Sequence, residues 1–289
     1  MHLKAAANYL VRSLFIFFFI LLASSLRAQI SHEFIKENAI EVTSVEDAKS
    51  DTLYQKLKDF QLIMIGERHG TKEPAEFVEH LSKVMVHHGK KVALGLEIPR
   101  EEMTQFIENP NEESLKQTSF FSKNNLDGRN AQAWYDLILS CYQDTNIYLF
   151  YFDNLKGRIM KLRSSAMYIS LVEVKKEFPD YMFITIMGNV HNRLKPFSGI
   201  ETMGSLCLKD TVNFKKDKIC SIIHLFGGGT LHKDRGDGFQ LEEVEFKENH
   251  YSEATEFDHF FIQDVEKYFK FYTSLYYSRT ITASESIKK

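Results

Sequence analysis

The sequence contains few cysteines and lacks several short motifs by which common enzyme classes are recognised. Its three cysteines, Cys141, Cys207 and Cys220, include no Cys-x-x-Cys pair, which excludes a disulfide framework and a zinc-finger site. A Cys207–Cys220 disulfide and unpaired buried thiols both stay open. No Gly-x-Ser-x-Gly occurs, so the usual α/β-hydrolase nucleophile is missing. Gly227-Gly228-Gly229 is interpreted as a turn after a strand, and no Lys-Ser or Lys-Thr follows it, which argues against a phosphate loop.

The strongest hydrophobic run, Leu14–Leu22, is too short to span a bilayer. Basic residues precede it and the small-residue segment Ala23–Ala28 follows it, which together predict a signal peptide over residues 1–28. Cleavage near Ala28 would give an exported protein, periplasmic or extracellular, with no stable membrane span in the mature chain. An uncleaved anchor is the alternative.

The predicted mature chain, residues 29–289, is acidic. Removal of the leader takes Lys4, Arg12 and Arg27 from 36 basic residues and leaves all 39 acidic ones, a net charge of about −6. A net acidic surface argues against a nucleic-acid partner and leaves a small-molecule or peptide substrate as the expectation. The length is sufficient for one domain with a large core.

Strand-like and helix-like segments alternate along the chain. The segment from Lys72 to His88, for example, places its apolar residues on one face of a helix. The alternation predicts a single α/β domain with a mostly parallel, possibly mixed, central sheet and helices on both faces. Residues 100–130 are polar and less regular, which is typical of a lid or an insertion. The aromatic tail Phe257–Tyr277 is interpreted as a short strand followed by a packing helix.

Two copies of a Gly-x-x-His motif follow apolar, strand-like runs. They are Gly66-Glu67-Arg68-His69 and Gly188-Asn189-Val190-His191. We expect each glycine to let the chain turn at the end of its strand, while the imidazole supplies a base or a metal ligand. Because ligands bind at the carboxyl ends of parallel strands, His69 and His191 are predicted to share one site.

Other polar residues fall at predicted strand ends and could join this site. Glu97 is the leading candidate, with capping of the next helix as the alternative, and Asp153 is either a supporting residue or a helix N-cap. His224 fits a hydrogen-bonded core histidine better than a ligand. Glu67 or Glu73 could orient the His69 imidazole, or simply be solvated.

At these residues the chain resembles the superfamily that groups erythromycin esterases, ChaN-type haem-binding proteins and TIKI/TraB proteins. The resemblance rests on the two Gly-x-x-His motifs and on Leu94-Gly95-Leu96-Glu97. It implies an active-site set of His69, His191 and Glu97, with Glu67 close by. Arg129 and Arg163 are weaker candidates for anion contacts, and ordinary surface or ion-pair roles are favoured for both.

Two functions follow as alternatives. The first is a hydrolase of an ester, lactone or peptide bond, in which His69, His191 and Glu97 hold a divalent metal ion or activate a water directly. The second is a haem- or iron-binding protein without catalysis, with histidine or tyrosine as axial ligands. A catalytically inactive scaffold or partner-binding domain would require His69 and His191 to lie far apart, or to be buried in apolar packing without an open cleft.

Overall fold

The computed structural model describes residues 30–42, 49–122, 128–153, 160–234, 239–245 and 250–287. Within these residues, nine strands form one mixed sheet. The strands are β1 (Ile40–Glu41), β2 (Leu62–Glu67), β3 (Val92–Pro99), β4 (Ile147–Asp153), β5 (Met182–Gly188), β6 (Ile219–Asp234), β7 (Phe239–Val244), β8 (His259–Gln263) and β9 (Ser274–Ile281). The predicted leader lies outside the described residues.

The centre of the sheet is parallel, in the order β4-β3-β5-β2-β6-β9. Antiparallel pairs close the edge, where β8 joins β9, β1 joins β8, and β7 pairs with the second half of β6. The described part of the chain therefore has the predicted fold class, a mostly parallel sheet with antiparallel additions.

Helices cover both faces of this sheet. They are α1 (His32–Asn38), α2 (Lys49–Leu57), α3 (Glu73–His87), α4 (Thr104–Glu108), α5 (Glu112–Gln117), α6 (Ser119–Ser122), α7 (Gln132–Tyr142), α8 (Met160–Glu177), α9 (Met203–Lys209) and α10 (His250–Ala254). Side chains of α2, α3 and α7 pack into the core on one face, and those of α8 and α9 pack into the core on the other.

The connections that leave the neighbouring strands β2 and β5 lead to opposite faces of the sheet. The chain runs from β2 into α3 on one face and from β5 towards α9 on the other. Such a reversal opens a crevice at the carboxyl ends of the two strands, which is where open α/β sheets bind ligands. Both Gly-x-x-His motifs lie at this crevice.

Two predicted elements differ from the structure. No turn interrupts β6 at Gly227-Gly228-Gly229, because the strand continues to Asp234 and pairs with β7 there. The tail forms β8 and β9 around a turn, with no helix among described residues 264–273. Both faces of β9 are buried, Tyr276 on one side and Leu275 and Tyr277 on the other, so the polar–apolar alternation that signals a strand is absent.

The three cysteines are free and buried. Cys207 lies in the core on the α8–α9 face, whereas Cys220 lies in the core on the α3 face, so the sheet separates them. The alternative of unpaired buried thiols is therefore the one observed.

The segment predicted as a lid or insertion packs onto the domain where it is described. The apolar side chains of Met103, Phe106, Leu115, Phe120 and Phe121 join the core on the α3 face. A lid function for residues 100–130 stays a prediction. Among the described helices, none has the length and hydrophobicity required to cross a membrane.

Candidate functional site

The two Gly-x-x-His loops are in close contact at Gly66, the glycine of the first motif. A Cβ on Gly66 would collide with Asn189 Oδ1 and would lie about 2.9 Å from Asn192 Nδ2. Asn192 Nδ2 donates to the Ile222 carbonyl at 2.7 Å, and Asn189 exchanges hydrogen bonds with the backbone of His224. Gly66 is thus required for close approach and lies inside β2, not at the turn we expected; the turn falls at Gly70, whose φ is +88°.

His69 is oriented by the carboxylate that precedes it. Its Nδ1 lies 2.7 Å from Glu67 Oε1, and the Glu67 side chain is fully buried while that of His69 is 31% exposed. Burial lowers the pKa of His69, but the adjacent Glu67 carboxylate outweighs burial and raises this pKa above 6.5. The result is a fixed imidazole whose other nitrogen, Nε2, is available for chemistry.

Glu97 lies at the centre of the site with both carboxylate oxygens bound. Oε1 accepts from Arg163 Nη2 at 2.5 Å, and Oε2 accepts from the Gly188 backbone N–H at 2.7 Å. Arg129 donates to the Glu97 backbone carbonyl at 2.5 Å and lies 3.5 Å from Oε1. Burial raises the pKa of Glu97, but Arg129, the two imidazoles and Arg163 together lower it to about 2. Glu97 is therefore a permanent anion rather than a base.

His191 is held from both sides of its ring. Its Nδ1 lies 3.3 Å from the hydroxyl of Ser164 on α8, and its Nε2 lies 3.7 Å from Glu97 Oε1. Burial, aided by the positive charge of Arg163, lowers the pKa of His191, although Glu97 opposes this shift. The environment of His191 therefore favours the uncharged imidazole, whereas the Glu67 carboxylate favours protonation of His69.

The structure brings His69, His191 and Glu97 together. A ligating atom of His69 lies within 4.8 Å of a Glu97 carboxylate oxygen, and the His69 ring lies 3.4 Å from the position of a Cβ on Gly188. The imidazoles from the two halves of the chain therefore meet one carboxylate at the crevice. Their catalytic role stays a prediction.

Among the supporting residues, Asp153 joins this site. Its carboxylate accepts from Arg163 Nε at 2.8 Å and from Arg163 Nη2 at 2.7 Å, in a buried bidentate pair at the end of β4. The N-cap alternative for Asp153 concerns residues 154–159, which lie outside the described ranges.

Glu73 has a different environment. Glu67 is the carboxylate that contacts His69, whereas Glu73 is buried at the start of α3 and accepts from the Thr282 backbone N–H at 2.7 Å. Burial raises the pKa of Glu73 from 4.5 to about 7. This residue connects α3 to the chain that follows β9.

His224 is a core histidine, as predicted. It is buried, stacks on Tyr276 with ring centroids 5.1 Å apart, and its Nε2 lies 3.0 Å from Ser278 Oγ. Burial lowers the pKa of His224 to about 3, so the ring is neutral.

Ser164 and Arg163 contact the site more directly than the sequence suggested, since Ser164 lies against His191 and Arg163 binds Glu97. Ser164 was not a candidate, because a single serine inside a helical segment carries no motif. Arg163 forms the expected ion pair, but it bridges two carboxylates of the site. The one signal in the sequence for either residue was its position near the start of α8, the helix that follows β4, which ends at Asp153.

One group of side chains among the described residues has the spacing of a metal site. Its members are Glu67, His69 and Glu97, so Glu67 stands where the sequence suggested His191. Glu67 Oε2 is buried without a hydrogen-bond partner, which leaves one oxygen able to bind a cation. Both Glu97 oxygens, however, are already bound by N–H donors.

No protein-family model and no curated protein matches the sequence. Among solved structures, a Bacillus cereus protein superposes with a TM-score of 0.64 at 10% identity, over 89% of this chain and 98% of its own. A mutant of the erythromycin esterase EreC in its open conformation superposes with a TM-score of 0.62 at 10% identity, over 83% of this chain and 96% of its own. The chain has the fold of erythromycin esterase EreC.

This likeness confirms, for the fold, the resemblance that the motifs indicate. The haem-binding ChaN of Campylobacter jejuni superposes with a TM-score of only 0.38 at 12% identity, over 61% of this chain and 86% of its own. A superposition of that quality does not support a haem site here. The haem alternative stays a prediction.

Proposed function

We propose that the protein is a hydrolase of a small-molecule ester or lactone, in which His69 is the general base. The observation that carries this proposal is the hydrogen bond between His69 Nδ1 and the buried Glu67 carboxylate, with the imidazole partly open to solvent. Glu67 fixes the tautomer with the proton on Nδ1 and stabilises the imidazolium that forms when Nε2 accepts a proton. The shared fold with an esterase gives precedent for this substrate class.

The chemical step needs one water and the ester. His69 Nε2 takes a proton from the water as its oxygen attacks the carbonyl carbon, and the carbonyl electron pair moves to the carbonyl oxygen. When the tetrahedral intermediate collapses, the carbon–oxygen bond to the alcohol breaks, and the imidazolium returns its proton to the alcohol oxygen.

His191 has a second role in this proposal. The anionic Glu97 carboxylate, 3.7 Å from Nε2, favours the tautomer with the proton on that nitrogen, and in this tautomer Nδ1 accepts from the Ser164 hydroxyl. A neutral imidazole with this tautomer is a hydrogen-bond donor at the crevice, and its lowered pKa keeps it from competing with His69 for the catalytic proton.

The charge arrangement favours the metal-free form of this reaction. A divalent ion bound by Glu67, His69 and Glu97 would share the Glu97 oxygens with the N–H donors that already bind them. It would also lie near the two guanidinium groups that contact Glu97, whose like charge opposes it. If an ion binds, Glu67 and His69 would hold it, and it would supply Lewis-acid activation of water.

Hydrolysis of p-nitrophenyl acetate and butyrate, and of macrolide lactones followed by mass spectrometry, tests the proposal. We expect His69→Gln to lower kcat/KM by at least about 10²-fold. His87→Gln is the matched control, because His87 is exposed at the end of α3. Full activity of His69→Gln with its fold intact would exclude His69 as the base, and inactivity of the wild type on all these substrates would exclude the substrate class.

We also propose that this activity is exported. The leader predicted over residues 1–28 supports the proposal. Expression of the full chain and N-terminal sequencing of the periplasmic or secreted fraction should give a protein that starts near Gln29. Recovery of the whole chain in the cytoplasm would contradict it.

A further inference from the structure

The Arg163 guanidinium has one nitrogen, Nη1, that donates to no group among the described residues. Its Nε hydrogen and both Nη2 hydrogens are taken, since Nε and Nη2 donate to Asp153 and Nη2 also donates to Glu97 Oε1. A guanidinium carries five N–H donors, so two remain on Nη1. Among the described residues, no group accepts a hydrogen bond from Nη1, and the side chain is 27% exposed.

The planar shape of the group fixes where Nη1 points. Asp153 occupies the Nε–Nη2 edge, so the second Nη2 hydrogen, which goes to Glu97, belongs to the Nη1–Nη2 edge. On this Nη1–Nη2 edge, one Nη1 hydrogen is parallel to the Nη2 hydrogen that donates to Glu97. This hydrogen is directed to the space beside Glu97 Oε1, the oxygen that also has His191 Nε2 at 3.7 Å.

Two uncommitted donors therefore border one small region. They are Arg163 Nη1 and His191 Nε2, and a ring nitrogen of His69 lies within 4.8 Å of an oxygen of the same Glu97 carboxylate. Arg129 is less suited to contact a ligand, because its side chain is only 9% exposed and it binds the Glu97 backbone carbonyl. Two hydrogen-bond donors and the proposed general base therefore lie around one carboxylate.

We propose that Arg163 Nη1 donates to the oxyanion that develops on the scissile carbonyl, beside His191 Nε2. This inference rests on the proposed function and names a further catalytic residue for it. The negative charge that forms on the carbonyl oxygen during water attack is stabilised by the fixed positive charge and N–H of Arg163. Its two carboxylate partners hold the guanidinium in place before the reaction, so little reorganisation is needed.

Arg163→Lys and Arg163→Ala test this role. Lysine keeps a positive charge between Asp153 and Glu97 but has no second nitrogen in the place of Nη1 to donate to the oxyanion. We expect each variant to lower kcat by about 10²–10³-fold with a smaller change in KM. Millimolar guanidinium should restore part of the activity of Arg163→Ala. Lys161→Ala is the matched control, because Lys161 is an exposed cation on the same helix and its loss should leave kcat unchanged.

A tetrahedral anion separates this role from a structural one. An aryl boronic acid, which adds water to form such an anion, should lose affinity for Arg163→Lys in proportion to the loss of kcat/KM. Circular dichroism and thermal unfolding report whether each variant folds. A folded Arg163→Lys with kcat and boronate affinity close to wild type would overturn the inference while leaving the hydrolase proposal intact. A wild type without esterase or lactonase activity would remove both.

Discussion

Asn189 Oδ1 occupies the space that a Cβ on Gly66 would need. Gly66, the glycine of the first Gly-x-x-His motif, therefore packs against Asn189, the second residue of the other motif. Because β2 and β5 are adjacent and in register, with Gly66 opposite Met187, this contact ties the His69 loop to the His191 loop. The relative position of the two imidazoles depends on it.

Gly66→Ala should destabilise the protein by about 1–3 kcal/mol, because the added methyl group forces Asn189 away from the backbone of His224. Urea unfolding measures the change. Asn189→Ala removes the colliding oxygen, so the double variant should lose less stability than the sum of the two single variants. Additive losses would show that the two residues are not coupled.

Glu67→Gln should move the pH dependence of kcat/KM. Activity requires neutral His69, whose pKa is raised above 6.5, so activity rises with pH through that raised pKa. Without the Glu67 carboxylate, burial and the charge of Arg129 lower the pKa of His69 and only Glu97 opposes them, so the rising limb shifts to lower pH. The plateau also falls because the imidazolium loses its partner. Glu76→Gln, an exposed position on α3, is the control. An unchanged midpoint in Glu67→Gln would contradict the assignment of His69 as the titrating base.

Ser164→Ala should lower kcat/KM by about threefold to tenfold, because His191 loses the hydroxyl that holds its Nδ1. Steady-state kinetics on the same ester measures the effect. The neighbouring Ser165→Ala is a close control, since the Ser165 hydroxyl binds the Lys161 carbonyl within the helix. Equal activities of the two variants would remove Ser164 from the site.

Glu73→Gln should stabilise the protein, and only at the higher pH values. The folded-state pKa of Glu73 is raised from 4.5 to about 7, so the wild type loses stability as pH rises from 4.5 and the loss is complete just above 7. The glutamine keeps an acceptor for the Thr282 N–H. Thermal unfolding should show no difference near pH 4 and a gain of about 1–3 kcal/mol at pH 8. A gain that is the same at both pH values would contradict ionisation as its cause.

Exhaustive treatment with a chelator should leave kcat/KM unchanged. The reason is that N–H donors already bind both oxygens of Glu97, the carboxylate at the centre of the candidate metal group. Metal analysis of the same sample verifies that the protein is free of metal. Loss of activity that a single divalent ion restores would instead establish the metal-dependent hydrolase.

Much of this arrangement was determined by local patterns in the sequence. The apolar runs before Gly66 and Gly188 specify the buried strands β2 and β5, and the helix period between them specifies α3. Parallel strands expose their carboxyl ends at one edge, so His69, Glu97, Asp153 and His191 were predicted at a common edge.

Only the tertiary structure decided what each of these groups does. Whether Glu97 is a base or a permanent anion depends on Arg129 and Arg163, which lie 32 and 66 residues away in the chain. Whether Gly66 turns the chain or makes room for Asn189 depends on which strand is its neighbour. Sequence periodicity reports which face of an element is buried. Charge and hydrogen bonding between side chains depend on contacts distant in sequence, and those exist only when the chain is folded.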